Sequence, residues 1–223
     1  MEAMPHGYTN SSTTDGHVVV KTYLGPDRAA RQVREERALR TLAGVLPVPT
    51  LLTSVPGVGT TAYMQGIPGQ AAIAAGNAAQ VLYACGRLLA DVQSVAPSRV
   101  LDHVSGDGSV LVHNDFGPNN VVLDLALTEV RLLCDWEWVT AGSRLTDLAW
   151  AEFIVRFHHP ESVAALAALF DGFGNRPTWA ERQAAMATRA VAHRDFVRRW
   201  HGNEAAETWD GRLRTIGSWR EVG

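Results

Sequence analysis

Residues 110–124, VLVHNDFGPNNVVLD, place a histidine, an aspartate and an asparagine between two apolar runs. Val110, Leu111 and Val112 lead in; Val121, Val122 and Leu123 lead out. Both runs read as strands, so the polar set is expected on a loop mounted at each end. Gly117 and Pro118 are enough to turn a chain. A turn does not require His113, Asp115 and Asn120 in the spacing H-x-D-x-x-x-x-N, so these residues call for a chemical explanation.

Fifteen residues past Asn120, Asp135 follows another apolar run, VRLLC, and opens the triplet Asp135-Trp136-Glu137. A carboxylate and an amide oxygen converging from two strand ends suit a hard divalent cation such as Mg²⁺. A further carboxylate, Asp115, is then available to orient or deprotonate a hydroxyl. Composition sharpens this. Of the 20 basic residues, Lys21 is the sole lysine. A compact ammonium is well suited to sit among phosphate oxygens, where a planar guanidinium would bind differently.

The 223 residues are 46% hydrophobic with a net charge of −3, which supports a sizeable core and argues against disorder. No basic stripe appears, so nucleic acid is not an expected partner. Two cysteines without metal-type spacing fit a reducing compartment. No leader pattern and no run of about 20 apolar residues is visible, so the expectation is a cytoplasmic protein with no membrane partner.

Along the chain, 6–16 has a loop composition and GHVVVKTYL (16–24) reads as a strand. Asp27 is the expected N-cap of a helix through RAARQVREERALRTLAG, where Val33, Leu39 and Leu42 with the alanines suit a helix and Gly44 suits its end. TTAYMQG (60–66) reads as a short strand and GIPGQ (66–70) as a boundary. Helical spacing returns over 77–95, a strand is expected within 129–138, and helices run from Leu145 to about Trp200, broken near Pro160 and around 172–177. The pattern is α+β: a small strand-rich lobe over 1–66, a linker near 63–69, and a larger, mainly helical lobe over 67–223.

With these motifs in order, the chain resembles the aminoglycoside phosphotransferase and choline kinase-like family of small-molecule kinases. LVHNDFGPNNVVLD resembles its catalytic loop, with Asn114 where glycine is usual. LLCDWEW resembles the metal-binding segment, and AGSRLTDLAW (141–150) the element after it, with Gly142 and Asp147 in order. HVVVKTY resembles the lysine strand, REERALRTLAGVLPVP the helix that supplies its glutamate, and YMQGIPGQ the inter-lobe linker.

The resemblance implies a two-lobed, protein-kinase-like fold and transfer of the γ-phosphate of ATP or GTP to a hydroxylated small molecule, with Mg²⁺. It implies that Lys21 meets the α- and β-phosphates and pairs with Glu35. Glu36 is the rival, but Glu35 lies four and seven residues before Leu39 and Leu42, on the inward face. Asn120 and Asp135 would hold the metal, Asp115 would accept the acceptor's hydrogen bond, and His113 would brace the loop. The phosphate loop would be 7–12, with Gly7, Thr9, Asn10, Ser11 and Ser12 as donors. Only six residues precede it, so the strand usual there is expected to be short, missing or supplied otherwise. Backbone groups around Gln65 to Ile67 would meet the base.

His158 and His159 are expected to be helix-end residues rather than metal ligands. The tryptophans of the second half are expected mostly in the core, with one or two as flat walls of an acceptor pocket. From Ala151 onward nine acidic residues face ten arginines, which is no carboxylate wall, so an aminoglycoside is one candidate acceptor among other hydroxylated molecules. The protein would be a monomer or homodimer. The alternatives are a nucleotide-binding pseudokinase and, more distantly, a metal-dependent phosphoester hydrolase.

Overall fold

The computed structural model describes residues 2–3, 10–104 and 109–222. The first lobe is a five-stranded antiparallel sheet with one helix. Its strands are β1 (Glu2–Ala3), β2 (Asn10–Thr14), β3 (Val18–Tyr23), β4 (Leu51–Val55) and β5 (Val58–Ala62), ordered β1-β2-β3-β5-β4. The strand expected to be short or missing is thus two residues long, pairing Glu2 and Ala3 with Thr14 and Thr13. The polar stretch read as a loop over 6–16 contains a strand. Asn10 to Thr14 pair with Tyr23 to Val19, because β-branched threonines satisfy a sheet even in a polar sequence.

Helix α1 (Arg28–Leu42) packs across this sheet. Its buried residues, Arg31, Gln32, Glu35, Ala38, Leu39 and Leu42, recur at helical spacing on one face. The N-terminal half of that face is polar and serves the site; the C-terminal half is apolar and serves the core. Val33 lies off this face and is 66% exposed. Asp27 is the N-cap, its carbonyl accepting the Arg31 N–H at 2.9 Å, but its side chain does not cap: the backbone is left-handed, at φ 57°, and the carboxylate pairs with Arg199 at 2.9 Å. Gln32 ties the helix to the β4–β5 hairpin, donating to the Val55 carbonyl at 2.7 Å and accepting from the Gly57 N–H at 2.8 Å.

The linker enters the second lobe through β6 (Ile67–Pro68), which pairs with Val122 and Leu123. Helices α2 (Gly69–Ala74) and α3 (Ala78–Ser94) follow. Two short antiparallel sheets then frame the loop quoted above: β7 (Val110–Val112) pairs with β10 (Thr140–Gly142), and β8 (Val121–Leu123) lies between β6 and β9 (Val130–Leu133). The helical tail is α4 (Leu145–His158), α5 (Leu166–Phe173), α6 (Trp179–His201) and α7 (Asn203–Ser218). It extends past Trp200, where the sequence reading stopped: Gly202, at φ 85°, turns the chain into α7.

The larger apolar core gathers Leu39 and Leu42 of α1, Val81, Leu82, Leu88 and Leu89 of α3, and the strands around the loop. A second cluster joins Trp150, Phe153 and Ile154 of α4 to Met186 of α6 and Ile216 of α7. Among the described residues, no helix is long and apolar enough to cross a membrane.

Candidate active site

The loop between β7 and β8 is held rigid by its own polar groups. The backbone N–H groups of His113 and Asn114 donate to Asp147 of α4 at 2.7 and 2.8 Å. Asn114 has a left-handed backbone, φ 68°, a conformation asparagine tolerates better than most residues. This accounts for asparagine where glycine is usual. Its side chain also locks the position, donating to the Trp138 carbonyl at 2.8 Å and Thr140 Oγ1 at 2.7 Å.

His113 is fully buried, with Nε2 against the Cys134 carbonyl at 2.9 Å and Nδ1 accepting the Asp115 N–H at 3.2 Å. Burial pushes its pKa down to about 4, so it is neutral near pH 7 with its proton on Nε2. It braces the loop against the β9 strand end.

Asp115 is held from two sides. Trp150 Nε1 donates to Oδ1 at 2.9 Å and Asn120 Nδ2 to Oδ2 at 2.9 Å. Asn120 Nδ2 also donates to the Asp115 carbonyl at 2.7 Å. With its amide nitrogen so used, the amide oxygen of Asn120 is the side-chain atom that could serve as a ligand. Burial, then the nearby Asp135 carboxylate, push the Asp115 carboxyl up to about 6. It is therefore mostly ionised at neutral pH and basic enough to take a proton.

Lys21 sits on β3 opposite Ser12 and Gly59. Its ammonium pairs with Glu35 Oε2 at 2.6 Å, contacts Asp135 Oδ1, and lies 3.6 Å from Glu137 Oε2. Glu35, the sequence-based choice, is on the inward face; Glu36 pairs with Arg40 instead, at 2.9 Å. Glu35 also accepts from Tyr23 Oη at 2.7 Å and from the Trp136 N–H at 3.2 Å, bridging the two lobes. Burial works against the Lys21 charge, but Asp135, Glu35 and Glu137 together hold its pKa well above the usual value. Burial likewise opposes the Asp135 carboxylate, and Lys21 outweighs it to leave that pKa lowered.

Sequence reasoning missed two members of this cluster. Glu137 is fully buried, takes Arg31 Nη1 at 2.9 Å and accepts from Asn10 Nδ2 at 3.0 Å. Arg31 is itself fully buried. The D-aromatic-E triplet was the available signal for Glu137, whereas nothing local marks Arg31 among its neighbouring arginines. Lys21 and Arg31 face three carboxylates, Glu35, Asp135 and Glu137, leaving one negative charge in excess. These three carboxylates are the group among the described residues that could gather a cation. His158 and His159 end α4 and are not part of it.

The cluster closes the polar end of a cavity of about 360 Å³ between the lobes. Val19, Leu51, Tyr63, Met64, Val122 and Leu132 line its apolar part, while Lys21, Asn120 and Asp135 line the polar end. Strand alternation sorts the polar residues of β2: Asn10 and Ser12 line the cavity and Ser11 does not. Gly7 and Thr9 lie outside the described residues. The linker contributes Tyr63, Met64, Gly66 and Pro68 to the lining, and not Gln65 or Ile67. Gly66 admits no side chain, since a Cβ there would stand 2.5 Å from the Leu123 carbonyl oxygen.

The site is thus an apolar slot ending in an ammonium, a carboxylate and an amide oxygen, with a second carboxylate, Asp115, beside it. A family model described as the phosphotransferase enzyme family matches residues 100–185. No curated protein sequence matches the chain. Solved structures do match. The gentamicin complex of the aminoglycoside phosphotransferase APH(2")-IIa is 11% identical with a TM-score of 0.73, covering 95% of this chain and 90% of that one. The GDP complex of aminoglycoside 2'-phosphotransferase-IIIa is 11% identical, TM-score 0.74, with coverage of 96% and 91%. A macrolide 2'-phosphotransferase from Brachybacterium faecium is 17% identical, TM-score 0.63, with coverage of 99% and 93%. The chain has the fold of these phosphotransferases over nearly its whole length, and the phosphotransferase family model matches it over 100–185.

Proposed function

We propose that this protein transfers the γ-phosphate of ATP or GTP to a hydroxyl of a small molecule. The observation that carries the reading is the grouping of Lys21, Glu35, Asp135, Asn120 and Asp115 at one end of an apolar slot. The slot fits a flat base, and Lys21 supplies positive charge to phosphate oxygens. Asp115 accepts the hydrogen bond of the acceptor hydroxyl and aims its oxygen at phosphorus. As the new P–O bond forms, the bond to the diphosphate leaving group breaks and the hydroxyl proton passes to Asp115. In a loose transition state this positioning contributes more than basicity.

The donor set suits Mg²⁺: the Asp135 carboxylate and the Asn120 amide oxygen are hard ligands, and the cluster carries excess negative charge. Bound there, the ion would neutralise phosphate charge. Asp135 must then exchange its Lys21 contact for the metal, with Lys21 keeping Glu35.

Among the solved neighbours are complexes with gentamicin, streptomycin, kanamycin, ATP, ADP and GDP, which support a nucleotide donor and a hydroxylated acceptor. A pseudokinase is the lesser reading, because lysine, glutamate, aspartate and asparagine are all present and placed together. The test is a magnesium-dependent ATP and GTP titration of the parent, Lys21→Ala and Asp135→Ala. Binding that needs magnesium and weakens in both variants supports the proposal; no binding to either nucleotide overturns it.

A further inference from the structure

The two oxygens of Asp115 face different neighbours. Oδ2 is held by Asn120, which lines the inter-lobe cavity. Oδ1 is held by Trp150, which does not line it. On the Trp150 side lies Arg189 of α6, its guanidinium carbon 5.7 Å from the centre of the indole ring. Its Nε donates to the Asn114 carbonyl at 2.7 Å, so the guanidinium is anchored one residue from Asp115. Among the described residues Arg189 makes no ion pair, and both Nη groups are uncommitted. Arg189 is half-buried, whereas the buried guanidiniums among the described residues are paired: Arg31 with Glu137, and Arg156 and Arg182 with Glu152.

The carboxylates that act on Arg189 are Asp115 itself and Asp147, whose two oxygens already accept the His113 and Asn114 N–H groups; the other neighbours add no negative charge. His193 of α6 is stacked between Trp150 and Trp209, with ring centres 4.7 and 5.0 Å away. Its Nε2 is buried without a hydrogen-bond partner. Arg212 caps the far side of Trp209 at 4.2 Å. The carboxylates of α6 and α7 are engaged elsewhere or open to solvent: Glu181 caps α6 with Thr178, Asp195 and Asp210 pair with Arg194, and Glu204 and Glu207 are exposed.

We infer that Arg189 determines acceptor specificity, binding an anionic oxygen carried near the reacting hydroxyl, so that the acceptor is a carboxylate-bearing small molecule and not a polycationic one. The guanidinium fork matches a carboxylate in two parallel hydrogen bonds, and the same charge repels ammonium groups. The His193 imidazole and the indole faces offer a neutral, flat wall for the remainder of such a molecule. The inference rests on the phosphotransferase reading, since it assigns the side of Asp115 that faces the acceptor.

The test uses three hydroxylated probes matched in size, glucuronate, glucose and glucosamine, given to the protein saturated with Mg²⁺ and a non-hydrolysable nucleotide. Binding is followed by calorimetry, alongside phosphate transfer from ATP and GTP. Glucuronate should bind tightest and glucosamine weakest. Arg189→Glu should weaken glucuronate about tenfold or more and improve glucosamine, while Arg189→Lys keeps the parent's order. A merely structural arginine would weaken all three alike. Glucosamine bound best by the parent, an order unmoved by Arg189→Glu, or no glucuronate binding at all would overturn the inference. Failure of the parent to bind either nucleotide would instead overturn the phosphotransferase reading itself.

Discussion

Single residues decide the chemistry of the loop. Asp115→Ala should reduce phosphate transfer by about a thousandfold or more, as loss of a positioning carboxylate does, while nucleotide affinity stays within a few fold. Asp115 touches Asn120 and Trp150 but does not line the inter-lobe cavity. Steady-state kinetics beside a nucleotide titration would separate the two. Lys21→Ala should impair nucleotide binding and turnover together, because it removes a cation that three carboxylates share. His113 sets a pH dependence. Its folded pKa is about 4, against about 6.5 when unfolded. As the pH falls below 6.5, the unfolded chain gains a proton that the folded chain refuses. Stability attributable to this residue is present above pH 6.5 and falls by about 3 kcal/mol toward pH 4. Urea denaturation of parent and His113→Gln at pH 7 and 4.5 measures it: the parent should lose more than the variant.

At the scale of elements, two glycines fix how helices meet. A Cβ on Gly86 of α3 would lie 2.2 Å from the Leu169 carbonyl oxygen, and one on Gly172 of α5 would lie 2.2 Å from that of Tyr83. Backbone cannot step aside as a flexible side chain can. Gly86→Ala should therefore destabilise by about 2 kcal/mol through overpacking, although alanine is the better helix former by about 1 kcal/mol. Thermal unfolding would show the sign. Nothing in the local sequence separates these glycines from Gly211 of α7, where a Cβ meets only the flexible Arg214 side chain at 3.8 Å. The tail has a comparable hidden feature. Glu152, fully buried in α4, takes both Arg156 and Arg182 at 2.8 Å. Glu152→Ala leaves Arg156 without a counter-charge and Arg182 with only the half-exposed Glu221 at 3.2 Å, and should cost about 3–5 kcal/mol, measurable by chemical denaturation.

Over the whole molecule, the end of α6 rests on the first lobe. Trp200 packs where a Cβ of Gly25 would fall, 2.6 Å away, and Arg199 pairs with Asp27. Arg31 lies over Trp138 and Phe196 while its Nη1 holds Glu137. The lobes are therefore linked both through the ionic cluster and through this tail contact. The local sequence was sufficient wherever a short pattern carries its own geometry. The apolar runs around His113–Asn120 define strand–loop–strand, the Val18–Tyr23 strand presents Lys21, and the spacing from Glu35 to Leu39 and Leu42 selects Glu35 over Glu36. It was insufficient where partners are distant in sequence. Arg31 meets Glu137 across 106 residues, Trp150 meets Asp115 across 35, and Arg189 meets Asn114 across 75. Buried charges with such partners look like surface charges until the chain is folded, since period and propensity register only neighbours within a turn or a strand. The sequence by itself thus determined the two-lobed order and singled out Lys21, Glu35, Asp115, Asn120 and Asp135, which the fold brings together. Tertiary structure alone decided which arginines are buried, which carboxylates balance them, and which side of Asp115 faces Arg189, because desolvation and charge pairing act through space and not along the chain.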